Sequence, residues 1–227
     1  HTAYDTYEHY KRFGDPDFSY GVTLAKMMGR STLRLANAEV LPFRFETFVG
    51  HVETYVKEIE ELVETTRAET LKHNRLVESG AYALAMDPKD GLQPPKAKSP
   101  VPHISFASVN NAVVALRAAA KAADSAVATA EASDHLNVAI AQLERAMTSD
   151  EGLPRRPWFR HQVYAPGFYT GYGVKTLPGI REAAEELKWD EMNEQMIRVA
   201  AMMNAVTDAM NTIKNAASMG PVEETAR

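Results

Sequence analysis

Residues 45–63 read Phe-Glu-Thr-Phe-Val-Gly-His-Val-Glu-Thr-Tyr-Val-Lys-Glu-Ile-Glu-Glu-Leu-Val, and this stretch decides the fold class. Its apolar residues recur every three or four positions, with glutamate and lysine filling many of the places between them: Val49, Val52, Val56, Ile59 and Val63. This spacing puts them on one narrow face of a helix, which is typical of helices that pack in a bundle. The pattern predicts a long amphipathic helix from about residue 45 to about residue 85.

Three further helices with the same spacing follow along the chain. They are predicted over residues 103–132, 134–149 and 190–217; the first has an alanine-rich face and the last a methionine-rich one. Two shorter helices are predicted ahead of them, within residues 1–44: the first is capped by Thr2 or Asp5, and the second, over residues 17–38, by Asp15. Ser133 is the predicted cap of the third bundle helix. No strand pattern stands out from the background. The sequence therefore predicts an all-α fold, a four-helix bundle preceded by two leading helices.

Residues 152–180, between the third and fourth bundle helices, form a segment of a different kind. Its four prolines and five glycines exclude a long helix, because each interrupts or loosens the helical backbone. It is also rich in large aromatic residues: Trp158, Phe159, Tyr164, Phe168, Tyr169 and Tyr172. A disordered linker is poor in aromatic residues. The composition predicts a long, ordered, functional loop that the helices carry.

Two shorter segments complete the outline. Residues 87–102 are rich in proline and lysine and are expected to be an exposed connection. Pro178 and Gly179 are expected to open a short helix over residues 180–187, because proline is favoured in the first turn of a helix.

Composition and charge exclude several classes of protein. The net charge of −5 and the pI of about 5.8 argue against a surface for nucleic acid or anionic membranes, which needs clustered lysine and arginine. There is no apolar run long enough to span a bilayer, and there is no cysteine, so no disulfide framework. Because the chain begins with His1 and not with methionine, we expect it to be a processed product or an excised piece.

Two groups of residues are candidates for chemistry. In the loop, Arg155, Arg156, Arg160 and Lys175 lie among aromatic residues and could clamp a carboxylate-bearing ligand. In the alternative reading, which the sequence alone favours, Arg160 and His161 tie the loop to its own scaffold.

The other candidate is His1. The seven histidines include no His-x-x-x-His pair, so no self-contained zinc site can be read from their spacing. His1, which precedes Thr-Ala-Tyr-Asp-Thr, could ligate a metal while the carboxylate of Asp5 braces its imidazole.

Motifs at both ends of the chain resemble those of one protein family. Residues 1–8 read His-Thr-Ala-Tyr-Asp-Thr-Tyr-Glu, and Leu-Ala-Asn (35–37) and Leu-Pro-Phe (41–43) follow. In the loop region, Leu-Pro-Arg-Arg-Pro, Arg-His-Gln-Val-Tyr-Ala-Pro and Leu-Pro-Gly-Ile begin at residues 153, 160 and 177. In this order the motifs resemble the C-terminal part of the glutamate carboxypeptidase II and transferrin receptor family. The resemblance implies that residues 1–44 end a peptidase domain and that residues 45–227 form a dimerisation domain, with a substrate-pocket loop at about 152–180.

The same resemblance implies a function for named residues. His1 takes the place of a ligand to one of two zinc ions, whose other ligands precede this chain. The loop is expected to reach into a peptide-substrate pocket through Tyr164, Gly171 and Tyr172. In the family's carboxypeptidases a lysine stands before that second tyrosine, but here the position is Gly171, which puts a preference for C-terminal glutamate in doubt. Lys175 is the candidate to compensate.

The resemblance leaves two functions open. In the first, the chain is the dimerisation and pocket-completing part of a zinc exopeptidase, a carboxypeptidase or an aminopeptidase, that works as a homodimer; the chain alone is then expected to be inactive. In the second, it is a non-catalytic dimerisation module of a transferrin receptor-like protein, or an independent helical bundle that binds a partner through its methionine-rich and alanine-rich faces. The family resemblance implies a secreted or membrane-anchored extracellular location through upstream sequence.

Overall fold

The computed structural model describes residues 2–87, 89 and 91–219, and the chain forms two compact units, His1–Phe43 and Arg44–Arg227. The described part is mainly helical, which confirms the predicted fold class. None of the helices in this part combines the length and the apolar character needed to cross a membrane.

The first unit contains helices α1 (Tyr7–His9) and α2 (Ser19–Ala36), with a π-helical turn, Tyr10–Gly14, directly after α1. The side chain of Thr6 caps α1 by accepting a hydrogen bond from the His9 N–H, where the sequence had suggested Thr2 or Asp5. Helix α2 buries none of its residues.

Asp15 was expected to cap the second helix, and its carboxylate does accept hydrogen bonds from the N–H groups of Tyr20 and Gly21, at 3.2 and 2.8 Å. The helix nevertheless starts later than predicted, at Ser19, because Phe18 adopts a left-handed backbone conformation with φ of 59°. The carboxylate therefore reaches forward over the intervening turn to satisfy the free N–H groups of the first helical turn.

The second unit contains six helices in the described residues. They are α3 (Phe45–Glu78), α4 (Ala81–Ala85), α5 (Ala107–Val127), α6 (Asp134–Gln142) with a 3-10 turn at Leu143–Met147, α7 (Pro178–Glu185) and α8 (Trp189–Met219). The first predicted bundle helix is thus divided at Gly80, whose φ of 72° a helix cannot continue through. Ser133 caps α6 as its sequence position suggested, with its side chain accepting from the Leu136 N–H.

Helix α5 lies at the centre of this unit and packs against both α8 and α3. Helix α6 packs against α8, and the short α7 contacts both α8 and α3. The apolar faces predicted from sequence form the core, including all five residues of the α3 series and five methionines of α8: Met192, Met196, Met202, Met203 and Met210. Each fully buried side chain of this size contributes about 1.5–3 kcal/mol, so these faces provide most of the driving force for folding.

A small β-hairpin interrupts the helical architecture, although no strand was predicted. Strands β1 (Tyr164–Pro166) and β2 (Val174–Thr176) pair antiparallel, with Ala165 opposite Lys175. Each strand has only three residues, which is too short for alternating polarity to show in the sequence.

The connection before α5 is exposed, as predicted, yet side chains of α3 hold it in place. Arg67 donates hydrogen bonds to the carbonyl oxygens of Val101 and Pro102 at 2.6 and 2.9 Å. The Asn74 amide both donates to the Lys98 carbonyl and accepts from its N–H, at 2.9 and 2.8 Å. Side chains of α3 thus satisfy backbone hydrogen-bonding groups of the extended segment, as a neighbouring strand would in a sheet.

Candidate functional site: the aromatic arm

We call residues 152–177 of the predicted ordered loop the aromatic arm and residues 167–173 its tip. The β-hairpin forms its outer half, and the tip closes the hairpin through hydrogen bonds from the Gly167 N–H to the Gly173 carbonyl at 2.8 Å and from the Gly173 N–H to the Thr170 carbonyl at 2.6 Å. A Cβ atom at Gly167 would lie 2.3 Å from Thr170 Oγ1, so the tight turn requires glycine there.

Backbone hydrogen bonds fix the base of the arm to the end of the 3-10 turn. The Gln162 N–H donates to the Met147 carbonyl at 2.8 Å, and the Ser149 N–H donates to the Arg160 carbonyl at 2.9 Å. Gln162 is only 2% exposed. A segment held this way by the main chain is ordered, as its composition predicted.

The four cationic residues of the arm each have a carboxylate partner within the chain. Arg155 Nη1 contacts both carboxylate oxygens of Glu191 at 2.7 and 3.0 Å, and this hydrogen bonding raises the pKa of Arg155. Lys175 Nζ contacts both oxygens of Glu185 at 2.6 and 2.9 Å. Arg160 Nη1 lies 3.2 Å from Asp150 Oδ1 in an exposed pair.

The fourth cation, Arg156, is paired inside the protein. Its Nη2 donates to Glu182 Oε2 at 2.7 Å, and the two side chains are 3% and 9% exposed. The guanidinium also lies over the rings of Phe159 and Phe168, 5.6 and 5.7 Å from their centroids. These pairings favour the anchoring interpretation over a carboxylate clamp, because an incoming ligand would have to displace an internal partner from each cation.

His161 takes part in the anchoring as well. Its Nδ1 accepts hydrogen bonds from the N–H groups of Val163 and Tyr164 at 3.2 and 3.3 Å, so the proton of the neutral ring is on Nε2. That Nε2 donates to Glu144 Oε1 at 3.0 Å. The same oxygen accepts from the Tyr164 hydroxyl at 3.1 Å, and the two rings stack with centroids 4.2 Å apart. Burial, followed by the hydrogen bond to Glu144, raises the pKa of Tyr164.

The tip presents aromatic side chains to solvent. Tyr172 is 96% exposed and Tyr169 is 77% exposed, whereas Tyr164 stands nearer the base at 46%. Around Gly171 a Cβ atom would meet nothing within 4 Å. The three residues expected to face a substrate therefore lie on one hairpin, with Gly171 and Tyr172 at its end.

Helix α7 is the platform that holds the arm. Arg181 donates to the carbonyl and hydroxyl oxygens of Thr176 at 3.1 and 2.8 Å and to Glu58 of α3 at 2.6 Å. Glu182 and Glu185, on the same helix, hold Arg156 and Lys175. Because α7 packs on α8 and α3, it connects the arm to the helical core.

The expected metal ligand, His1, lies outside the described residues. Asp5, its expected second-shell partner, accepts a hydrogen bond from the Thr2 N–H at 2.8 Å and lines a surface groove of about 690 Å³ with Tyr4 and His9. Within residues 2–87, 89 and 91–219, no group of three or more His, Asp and Glu side chains is placed to hold a metal ion. The described residues alone therefore do not fit a zinc pair.

Sequence reasoning missed the acidic partners of the arm: Glu144, Glu182, Glu185 and Glu191. Glu182 follows its partner Arg156 by 26 residues, and Glu191 follows Arg155 by 36. The one available signal is that three of these glutamates follow the arm closely, on or near a short helix that a proline opens.

Comparison with known proteins identifies a family model over the second unit. Residues 104–211, which cover α5 to most of α8, match the transferrin receptor-like dimerisation domain.

The chain is also similar to named proteins that are longer than it. The probable glutamate carboxypeptidase LAMP1 of Arabidopsis thaliana is 30% identical over 207 residues, which are 88% of this chain and 26% of that protein. The probable glutamate carboxypeptidase of Arthroderma benhamiae is 26% identical over 82% of the chain and 22% of its own length. The aminopeptidase NAALADL1 of Rattus norvegicus is 25% identical over 90% of the chain and 25% of its own length. The chain thus spans about a quarter of the length of these relatives.

Proposed function

The chain carries a transferrin receptor-like dimerisation domain and is related to the C-terminal part of the glutamate carboxypeptidase II and transferrin receptor family, and from this we propose that it pairs two copies of a peptidase and completes its substrate pocket. The family match over residues 104–211 is the observation that carries the proposal.

Self-association is the first part of the proposal. The exposed apolar side chains of the matched helices include Val114 on α5 and Ile197 on α8, which are 70% and 68% exposed. Apolar side chains at such positions are suited to burial against a second copy. Sedimentation of the chain at micromolar concentration should give a dimer, and Val114→Glu with Ile197→Glu should weaken it. If the unsubstituted chain sedimented only as a monomer, the proposed self-association would be wrong.

The second part assigns the arm to a substrate pocket. Its tip is rigidly mounted yet exposed, and Tyr164, Gly171 and Tyr172 are the residues proposed to face a peptide substrate. The arm's cations are paired with carboxylates of the same chain, so we propose that Arg160, His161 and Lys175 position the arm and that Tyr172 makes the contact. In the whole protein, Tyr172→Ala should raise KM for peptide substrates, whereas the exposed Trp158→Ala should not.

The third part concerns zinc and the first unit. We propose that His1 ligates one of two zinc ions, that Asp5 supports it, and that residues 1–44 end the peptidase domain. Helix α2 supports the assignment, since a helix with several apolar residues and no buried ones needs a partner surface. One histidine cannot hold a metal pair, so the chain alone should bind no stoichiometric zinc and show no peptidase activity. Tight zinc binding by this chain alone would contradict the assignment.

A non-catalytic, receptor-like module is the alternative. The observation in its favour is that the arm offers no unpaired cation for a substrate carboxylate and has Gly171 where the carboxypeptidases of the family have lysine. Sequencing the reading frame ahead of His1 separates the two functions. A histidine, two aspartates and a Glu-Glu pair in a strand-rich context support the peptidase, and apolar residues at those places support the receptor-like module.

A further inference from the structure

Glu182 occupies the point where two separate parts of the arm meet helix α7. One carboxylate oxygen, Oε2, accepts from Arg156 at 2.7 Å, and the other, Oε1, accepts from the backbone N–H of Phe168 at 2.8 Å. Phe168 is the second residue of the tip. A single side chain therefore ties both the inner turn of the arm and its tip to the platform.

The surroundings of this carboxylate leave it little freedom. Glu182 and Arg156 are both buried, and the Arg156 guanidinium lies over the Phe159 and Phe168 rings. Hydrogen bonds to a charged acceptor are stronger than neutral ones, and a low local dielectric strengthens them further. The position of Phe168 also affects the next residue of the tip, because the Phe168 ring meets the Tyr169 ring edge-on, with centroids 4.8 Å apart.

We infer that Glu182 is the positioning residue of the arm, and that it fixes the tip within one chain, before any second copy binds. The purpose of the fixed tip, substrate contact, rests on the function proposed above, but the positioning itself does not. Lys175 and Glu185 form a partly exposed pair, whereas Glu182 is the one side chain in the described residues that accepts a hydrogen bond from the backbone of the tip.

Amide hydrogen exchange of the 227-residue chain tests this directly, because the Phe168 N–H is bonded to the side chain in question. Glu182→Gln keeps an Oε1 acceptor for that N–H, so it should retain most of the protection. Glu182→Ala leaves Arg156 buried without its partner, and this can unfold a protein. The informative variant is therefore the double substitution Arg156→Met with Glu182→Leu, which removes both charges and the acceptor together.

In the double variant, exchange at Phe168 should accelerate by about tenfold or more. Cleavage by chymotrypsin after Tyr169 and Tyr172 should accelerate with it, while amides of α5 and α8 keep their rates. Glu185→Gln, which breaks the surface pair with Lys175, is the matched control and should leave Phe168 protected. Protection of Phe168 in the unsubstituted chain should be the same at concentrations above and below that of dimer formation.

Three results would overturn the inference: unchanged exchange at Phe168 in the double variant, protection that exists only in the dimer, and global unfolding of the double variant, which would make the pair a requirement of the whole fold. Each of these outcomes is independent of peptidase activity. If the proposed function were wrong, the peptidase activity of the whole protein would not change in Tyr172→Ala.

Discussion

The carboxylate of Asp124 accepts hydrogen bonds from the backbone N–H groups of Phe45 and Glu46, at 3.1 and 2.8 Å, although 79 and 78 residues separate it from them. Asp124 lies in the last turn of α5, and Phe45 begins α3. The positive end of the α3 dipole therefore receives its capping anion from a neighbouring helix. Arg44, at the capping position itself, makes no side-chain capping hydrogen bond.

Asp124→Ala should lower the free energy of unfolding by about 1–2 kcal/mol, because it leaves the first N–H groups of α3 without their acceptor. Urea denaturation followed by circular dichroism measures the change. Asp208→Ala, at an exposed position on α8, is the matched control and should change stability by less than about 0.5 kcal/mol. Equal effects of the two substitutions would mean that the cap contributes nothing.

The Asp124 cap shows which features of helix α3 can be predicted from sequence and which cannot. The periodic apolar residues of α3 predict where its core face lies, and Val49, Val52 and Ile59 are each 1% exposed. Periodicity expresses a local geometric rule and can be seen within one helix. A capping group from another helix follows no local rule, so the start of α3 could be placed from sequence but the residue that stabilises it could not.

In the arm, too, local features could be predicted from the sequence, whereas partners distant in the sequence could not. Its prolines, glycines and aromatic residues predicted an ordered loop, and the ion pairs of its cations favour the anchoring interpretation over a ligand clamp. The hairpin was missed because its strands are short, and the glutamate partners were missed because pairing across 26 or 36 residues depends on how α7 and α8 pack. His1 and the boundary at residue 44 stay predictions.

Tyr164 provides a pH-dependent test of the anchoring at the base of the arm. Burial, and then its hydrogen bond to Glu144, raises its pKa above the ordinary value of 10.0. A raised pKa in the folded protein means that the neutral phenol stabilises the fold. This contribution is complete below pH 10 and is lost as the pH rises through the higher folded pKa.

Titration of phenolate absorbance should therefore show a late-ionising tyrosine that disappears in Tyr164→Phe. Glu144→Gln should lower the pKa of Tyr164 part of the way back, because it removes the charged acceptor and its repulsion of the phenolate but leaves the burial. If Glu144→Gln left the titration unchanged, the hydrogen bond between these residues would not exist in solution.

Gly167 offers a steric test of the tip. A methyl group there would lie 2.3 Å from Thr170 Oγ1, so Gly167→Ala should open the turn and speed chymotryptic cleavage after Tyr169. Thr170→Ala removes the clashing oxygen, so adding it to Gly167→Ala should restore part of the resistance. Gly171→Ala meets nothing within 4 Å and should behave like the unsubstituted chain. A protease-resistant Gly167→Ala variant would show that the turn accommodates a methyl group without opening.

Gly171 connects the geometry of the tip to the choice of substrate. The family resemblance implies a lysine before the tyrosine to which Tyr172 is proposed to correspond, and the nearby Lys175 is held by Glu185 through two contacts of 2.6 and 2.9 Å. As it stands, the tip therefore supplies no cation for the side chain of a C-terminal glutamate. If the proposed function is correct, the whole protein should discriminate weakly between peptides that end in glutamate and in glutamine.

Gly171→Lys should restore that discrimination. The position is open, so the substitution should leave the thermal unfolding midpoint unchanged, and the new ammonium group should raise the kcat/KM ratio of glutamate over glutamine peptides by about tenfold or more. Gly171→Met, with a side chain of similar length and no charge, is the matched control and should leave the ratio where it was. Equal kcat/KM ratios for the Lys and Met variants would place the tip away from the substrate carboxylate, because an ammonium group near that carboxylate would raise the ratio.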